Sequence, residues 1–319
     1  MNRSTPPSTR KPSSPTGLRQ RRRGNWRRTI ALDGMVLPAL ILTIIFAYIP
    51  MVGIVIAFQD FKPWLGFGQS NWVGLDHFQY LFSTPENLQV VWNTLIIASM
   101  KLVGGLIAPL VFALLLNEIR LSAFKRSVQT LVYLPHFLSW VILGGILLDM
   151  LSMKGLVNQV LVALFNIDPI FFLGDGNWFR FVVVVSDIWK EFGFGAIIFL
   201  ASLAGINPAL YEAAEVDGAG RWQQTLAITI PSLIPIMIVV GTLSLGNILN
   251  AGFDQIFNLY NGLVYDKGDI IDTFVYRVGL VDGQFGFSAA VGLFKSVVGF
   301  VLIVAAYRMA YKFANYRIF

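Results

Sequence analysis

Six apolar runs, each close to the length of a membrane crossing, constrain this chain more than any other feature of its sequence. They cover residues 36–58, 90–116, 128–148, 179–203, 228–248 and 289–311. A helix needs about 20 apolar residues to cross a hydrocarbon layer of roughly 30 Å. The runs are continuously apolar, whereas the strands of a membrane barrel alternate polar and apolar residues over shorter segments. We therefore expect an all-α membrane protein with six transmembrane helices.

The composition agrees with a lipid environment. Hydrophobic residues make up 55% of the 319 residues and charged residues only 13%, which leaves too little polar surface for a soluble domain. Cysteine is absent, and the two histidines, His77 and His136, lie far apart in the sequence, so we expect no metal site. The net charge of +6 comes from basic residues placed where topology requires them, so we expect no nucleic-acid partner.

The distribution of charge predicts the orientation. Nine basic residues precede the first acidic residue, Asp33. Residues 1–30 are rich in Ser, Pro and Arg, and we expect a disordered basic cytoplasmic tail ahead of a transmembrane domain over residues 31–319. Threading six crossings from that tail places these basic residues on the cytoplasmic side: Arg120, Lys125, Arg126, Arg221, Arg308, Lys312 and Arg317. Both termini are then cytoplasmic.

The cytoplasmic loop between the fourth and fifth runs, about residues 206–231, has a pattern of its own. Asn207 is a good helix cap and Pro208 suits the first helical position, so a helix of about two turns should follow. Two alanines in its middle allow another surface to approach closely. Gly218 and Gly220 then permit a sharp turn before a second helical piece enters the fifth run. We expect a short helix along the cytoplasmic face.

This loop resembles a known motif. Glu212-Ala213-Ala214, followed by Asp217-Gly218-Ala219 and later by Ile230-Pro231, is similar to the EAA loop in permease subunits of binding-protein-dependent ABC importers. In that family the loop forms a coupling helix that sits in a cleft of the ATPase subunit. The resemblance implies the type I ABC importer permease fold and an ATPase-coupling role for Tyr211, Glu212, Ala213, Ala214, Asp217, Gly218, Ala219, Gly220 and Pro231.

Other segments extend the resemblance from about Pro38 to the C-terminus. Residues 74–78 and 92–95 look like sugar permeases of the maltose-importer type. Residues 253–261 and 271–277 look like the subgroup that serves complex oligosaccharides and polysaccharide fragments, alginate oligosaccharides among them. The resemblance implies a bacterial inner-membrane subunit that takes up a sugar delivered by an extracytoplasmic binding protein.

The resemblance also implies partners. The sequence has no Gly-x-x-x-x-Gly-Lys-Ser/Thr motif, so ATP and Mg²⁺ should be held by a separate ATPase and this chain should bind no cofactor and catalyse no reaction. The expected partners are two ATPase subunits, a second permease subunit that is related but different, the binding protein, membrane lipid and the sugar.

Several polar residues fall inside or beside the apolar runs, where charges are costly. One interpretation places them along the sugar path, where hydroxyl-rich sugars need hydrogen-bonding groups and aromatic faces. The other pairs them with each other or with nearby carbonyl groups. The residues concerned are Lys101, Asp187, Trp189, Lys190, Glu191, Asn247, Asn250 and Lys295. Lysines along the path would suit an anionic sugar such as a uronate.

Three alternatives remain at this stage. A permease of the same superfamily could carry an amino acid, a peptide or phosphate. An ion-coupled carrier could use Asp187 and Glu191 as relay groups, although no matched pair of broken helices is evident. The aromatic residues of the outer segments, residues 59–89 and 249–288, could form an interfacial belt or a docking surface for an outside partner.

Overall fold

The computed structural model describes residues 18–314, and the chain divides into two compact units, Met1–Val55 and Ile56–Phe319. Helix α1 covers Leu18–Thr43 and continues as a π-helical turn over Ile44–Tyr48. It begins inside the segment predicted to be a disordered tail, because Leu, Arg and Gln in that stretch are good helix formers. Residues 1–17 of the predicted tail lie outside the described residues.

The segment after the first run, predicted to be an outer segment, is folded. After a 3₁₀ helix, Ile49–Phe58, strand β1 (Gln59–Asp60) pairs antiparallel with β2 (Asn71–Trp72) around helix α2 (Gly66–Gln69), with Gln59 opposite Trp72. Helix α3 (Asp76–Ser83) follows, and its His77 Nε2 lies 3.0 Å from the Gln59 carbonyl oxygen. The carbonyl therefore ties the strand pair to α3.

The second apolar run forms a long helix, whereas the third is broken. Helix α4 covers Pro85–Glu118. Helix α5 (Ser122–Tyr133), a 3₁₀ turn (Leu134–Phe137) and α6 (Trp140–Met150) follow, and the two helical parts meet at 99°. The expectation of one continuous span over 128–148 is corrected: Pro135 has no amide to donate, and the Ser139 hydroxyl starts a new helix by accepting a bond from the Ile142 amide. Helix α7 covers Leu156–Phe165.

The fourth and fifth runs flank the predicted cytoplasmic loop. Helix α8 covers Gly176–Ala204, and α9 (Pro208–Val216) lies at 68° to it. Helix α10 (Arg221–Gln224) leads through a π-helical turn, Thr225–Thr229, into α11 (Ile230–Gly246). Asp175 begins α8 by accepting bonds from the Asn177 and Trp178 amides.

The segment before the last run folds into short helices. They are α12 (Phe253–Leu259), a 3₁₀ turn (Gly262–Val264), α13 (Tyr265–Gly268) and α14 (Ile271–Tyr276), followed by a π-helical turn, Arg277–Val281. Helix α15 covers Phe285–Ala314. The predicted outer segment 249–288 is thus an ordered substructure.

Three apolar clusters hold the second unit together. One joins α4 and α8 to the α12–α14 segment through Ile97, Val183 and Ile256, which are fully buried. A second joins α3, α4, α14 and α15, and a third joins α4, α8 and α11. Burial of these side chains fixes the short helices against the long ones.

By length and composition, four helical segments of the described residues could cross a membrane, or up to six if each bent pair counts as one crossing. The four are Leu32–Phe58, Pro85–Glu118, Arg221–Gly246 and Phe285–Arg308. The bent pairs are α5 with α6 and α8 with α9.

Candidate functional site

The loop between α8 and α11, which we call the hook (residues 206–231), is a preformed structure. Asn207 Oδ1 accepts a hydrogen bond from the Ala209 amide at 3.1 Å, which starts α9 as its sequence predicts. The helix ends at Asp217, and Gly218 has a φ of +79°, a conformation that favours glycine. The chain then reverses into α10. All nine predicted coupling residues lie within the hook.

Side chains brace the hook against the bundle. The Tyr211 hydroxyl lies 2.9 Å from the hydroxyl of Thr229, a residue only 5% exposed at the start of α11. Gln224 Nε2 donates to the Ala219 carbonyl at 3.0 Å, and the Ala219 amide donates to the Ala214 carbonyl at 2.8 Å. Displacing α9 would therefore move the start of α11 as well.

The hook also presents an exposed surface. Helix α9 has no buried residue, and the alanines in its middle leave room for another surface. Val216 is 89% exposed and Trp222 73% exposed. Arg221 forms an ion pair of 3.1 Å with Glu118 at the end of α4. An exposed apolar surface on a braced frame can bind a partner and transmit a displacement.

Within the bundle, Lys101 of α4 joins three elements. Its Nζ lies 3.1 Å from Asp187 Oδ1 on α8 and donates to the Ala251 carbonyl at 2.8 Å. It also contacts Gln255 Oε1 on α12. Gln255, fully buried, donates to the Val183 carbonyl and the Ser186 hydroxyl at 2.8 Å each. The ammonium group thus has a counter-ion and two further acceptors.

A second lysine ties α8 to the break between α5 and α6. Lys190 Nζ donates to the His136 carbonyl at 2.9 Å and lies 2.8 Å from Glu191 Oε1. Glu191 Oε2 lies 2.7 Å from His136 Nδ1, and Lys190 stands 5.5 Å from the centre of the Trp140 ring. These contacts stabilise the bend that interrupts the third run.

A third lysine pairs the last helix with α14. Lys295 Nζ lies 2.6 Å from Asp272 Oδ1 and 2.8 Å from Asn250 Oδ1. Asn250 Nδ2 in turn lies 3.4 Å from Asn247 Oδ1. Lys101, Lys190 and Lys295 therefore each contact a carboxylate, as the pairing interpretation predicts.

A cavity of about 540 Å³ lies among α4, α8, α11 and the start of α12. Of the eight polar and aromatic residues predicted for a sugar path, four line it: Lys101, Asp187, Asn247 and Asn250. Trp189 instead lines an apolar groove between α4 and α8. Lys190, Glu191 and Lys295 do not line the cavity. The eight residues therefore do not form one site.

The sequence did not predict several residues that complete these contacts. Gln255, Asp272 and His136 are the partners of the three lysines. Gln255 lies 154 positions from Lys101, and no local pattern links the two. In the described residues no three His, Asp or Glu side chains converge in a way that could hold a metal ion.

The chain is similar to known transport proteins. Residues 102–314 match the model of the family described as binding-protein-dependent transport system inner membrane component. Protein LplB of Bacillus subtilis is 43% identical over 89% of this chain and 90% of its own length. The polygalacturonan/rhamnogalacturonan transport system permease protein YteP of the same organism is 42% identical over 89% of each chain.

Solved structures agree. A chain in the crystal structure of a bacterial ABC transporter involved in the import of the acidic polysaccharide alginate has a TM-score of 0.84 and 38% identity, over 92% of this chain and 99% of that one. A chain from the complex of a bacterial alginate ABC transporter with the alginate pentasaccharide-bound periplasmic protein has a TM-score of 0.83, also at 38% identity, over 91% and 96% of the two chains.

Proposed function

The chain belongs to the family of inner membrane components of binding-protein-dependent transport systems, and from that membership we propose that it is the permease subunit through which an ATP-driven importer passes oligosaccharides or polysaccharide fragments. Its relatives carry polygalacturonan or rhamnogalacturonan and alginate by name, so polyuronate fragments are the proposed cargo. The chain is a multi-pass inner-membrane protein, and the proposal gives it six crossings with both termini in the cytoplasm.

The main structural support for this proposal is the hook. It is exposed where a partner would bind, its turn depends on Gly218, and Tyr211 links it to the buried Thr229 of the bundle. We assign it the coupling role: an ATPase subunit grips α9, and closure of two such subunits moves α9 and the start of α11 together. A binding protein delivers the sugar from outside, and a second permease subunit completes the pathway. ATP and Mg²⁺ stay on the ATPase.

The ion pairs argue against an ion-coupled carrier. A relay carboxylate must bind and release a proton or a sodium ion, yet Asp187 contacts Lys101 and Glu191 contacts Lys190. Each carboxylate therefore has a lysine ammonium group within 3.1 Å, where a relay group would need an open site for its ion.

Reconstitution tests the proposal. The full complex, with its second permease subunit, ATPase and binding protein, is placed in liposomes that contain ATP, and uptake of digalacturonate, tetragalacturonate and an alginate tetrasaccharide is measured. We expect uptake of at least one saccharide that stops when ATP is replaced by a non-hydrolysable analogue. Uptake that needs an ion gradient instead of ATP, or no saccharide uptake at all, would refute it.

A further inference from the structure

Five aromatic side chains between α11 and α15 contact one another, and we call them the aromatic ladder. Phe253, Phe257, Tyr260 and Tyr265 follow one another in a row, and Tyr276 packs beside Phe253 and Phe257. Ring centres along it are 5.0–6.0 Å apart, as for Phe257 with Tyr276 at 5.0 Å and Phe257 with Tyr260 at 6.0 Å. Phe253 stacks on Phe257 at 5.2 Å, and Tyr260 lies 5.3 Å from Tyr265. These spacings are typical of aromatic pairs in contact.

The ladder lies between two cavities. Its inner end, Phe253, directly follows Gly252, which lines the cavity of about 540 Å³ beside Lys101 and Asp187. Its outer end, Tyr265, lines a second cavity of about 500 Å³ together with Gln89 and Arg277. The row therefore extends, within the segment 249–288, from beside the first cavity to the second.

The rings are only partly covered. Phe257 is 37% exposed, and the other four are half-buried. Core aromatic residues of the same chain, such as Phe179 at 0% and Phe199 at 1%, are completely enclosed. Packing of this unit therefore leaves ladder surface available to a ligand.

Two cations beside the ladder are paired with carboxylates, whereas Asp254 and Asp266 are exposed. Asp272 precedes Tyr276 by one helical turn on α14, so the two share a face, and Asp272 pairs with Lys295. Arg277 lies 4.2 Å above the Tyr265 ring and pairs with Asp269. Burial raises the pKa of Tyr260 to about 12, with Tyr265 and Asp269 adding to the rise, so its hydroxyl stays a neutral hydrogen-bonding group at physiological pH.

We propose that the aromatic ladder is a binding track for the pyranose rings of the cargo, which leads a sugar chain from the outer segment to the central cavity. A pyranose ring has an apolar C–H face that packs on a flat aromatic ring, while its hydroxyl groups reach tyrosine hydroxyls and amides beside the track. Because the neighbouring cations already have carboxylate partners, the track selects for ring faces, and the carboxylates of a uronate chain contribute little. This inference rests on the proposed sugar-importing function.

Exposed aromatic residues can have two other roles, and the experiment must distinguish both from sugar binding. A membrane-interface belt would face lipid, and a docking surface would bind the outside protein. Leucine keeps apolar bulk but has no flat face, so Phe→Leu removes stacking specifically. Tyrosine keeps the flat face and is the conservative replacement. Phe165, at the end of α7 and 66% exposed, is an aromatic residue outside the ladder and provides the matched control.

The test measures ATP-driven uptake of tetragalacturonate and digalacturonate by the complete reconstituted complex carrying Phe257→Leu, Tyr276→Leu, Phe257→Tyr or Phe165→Leu. We expect each ladder leucine to lower uptake at subsaturating sugar by about two- to tenfold, the equivalent of one aromatic contact. The loss should be larger for the longer sugar, which spans more rings. Phe165→Leu should match the wild type, and Phe257→Tyr, which keeps the flat face, should lose less uptake than Phe257→Leu.

A second measurement, the stimulation of ATP hydrolysis, distinguishes a sugar-binding track from a docking surface for the binding protein. The sugar-loaded binding protein should stimulate ATP hydrolysis by the ladder variants as it does in the wild type, and the complexes should co-purify intact. If the ladder variants match Phe165→Leu in uptake, or if stimulation falls together with uptake, the track is refuted while the proposed function stands. If the wild-type complex imports neither saccharide, the proposed function itself fails.

Discussion

Lys101 is the residue whose loss should matter most for stability. Its side chain is 9% exposed and meets Asp187, the Ala251 carbonyl and Gln255, so Lys101→Met would leave a buried carboxylate without its counter-ion. Breaking a buried pair in this way costs about 3–5 kcal/mol. We expect a clear drop in the thermal unfolding midpoint of the purified protein, followed by tryptophan fluorescence.

The exposed pair Lys62–Asp60 supplies the control for Lys101. It spans 3.4 Å with side chains 43% and 53% exposed, so Lys62→Met should cost about 0–1 kcal/mol. The double variant Lys101→Met with Asp187→Asn should recover part of the midpoint. Equal midpoints for the Lys101 and Lys62 variants would show that the buried pair does not stabilise the fold.

Gly218 should be sensitive for a different reason. Its φ of +79° strains any side chain, yet an added Cβ would meet no atom within 4 Å. Gly218→Val should therefore cost about 1–2 kcal/mol of backbone strain confined to the hook. We expect weaker co-purification of the ATPase and slower uptake, with an unchanged unfolding midpoint for the bundle. Gly262, which has open space and no positive φ, offers Gly262→Ala as the control.

At the scale of single residues, the sequence predicted the embedded lysines and the turn glycine but not the partners of the lysines. It singled out the embedded lysines, because a charge in an apolar run is costly, and it located the turn glycine from local pattern. It could not name Gln255 or Asp272 as partners, since tertiary packing alone brings them to Lys101 and Lys295.

Among the elements, α9 and α11 are joined by the hydrogen bond between the Tyr211 and Thr229 hydroxyls. Removing either hydroxyl, by Tyr211→Phe or Thr229→Val, should cost about 0.5–1.5 kcal/mol and loosen the hook. We expect ATP hydrolysis to continue with less sugar imported for each ATP, measured in the reconstituted complex.

A double-mutant cycle checks that prediction. Because the two hydroxyls act through one bond, the double variant should lose no more coupling than either single variant. Additive losses would mean that each residue acts independently. Tyr80→Phe, at a side chain of α3 that is 53% exposed, is the tyrosine control.

The third apolar run shows where hydropathy fails as a predictor of elements. Its length was adequate for a crossing, but Pro135 and the Ser139 cap turn the chain by 99° between α5 and α6. Hydropathy measures how apolar a segment is and contains no information on its direction. The hook was predicted better, because its cap, its proline and its glycines are local signals.

For the whole molecule, the proposed function makes ATP the sole source of free energy. Vesicles that contain ATP but no proton or sodium gradient should therefore import saccharide at the full rate, and an ionophore should not lower that rate. The structural reason is that Asp187 and Glu191, the two carboxylates considered for an ion relay, each contact a lysine. Inhibition by the ionophore would contradict the assignment.

The three lysine–carboxylate pairs also have an electrical consequence. A unit charge that crosses the full membrane potential exchanges about 2.3 kcal/mol per 100 mV. Lys101, Lys190 and Lys295 each have a carboxylate beside them, so the net charge of each pair is close to zero. Movement of the helices therefore transfers almost no charge across the membrane through these pairs. For the proposed polyuronate cargo, the membrane voltage would then act on the carboxylates of the sugar and not on these three pairs.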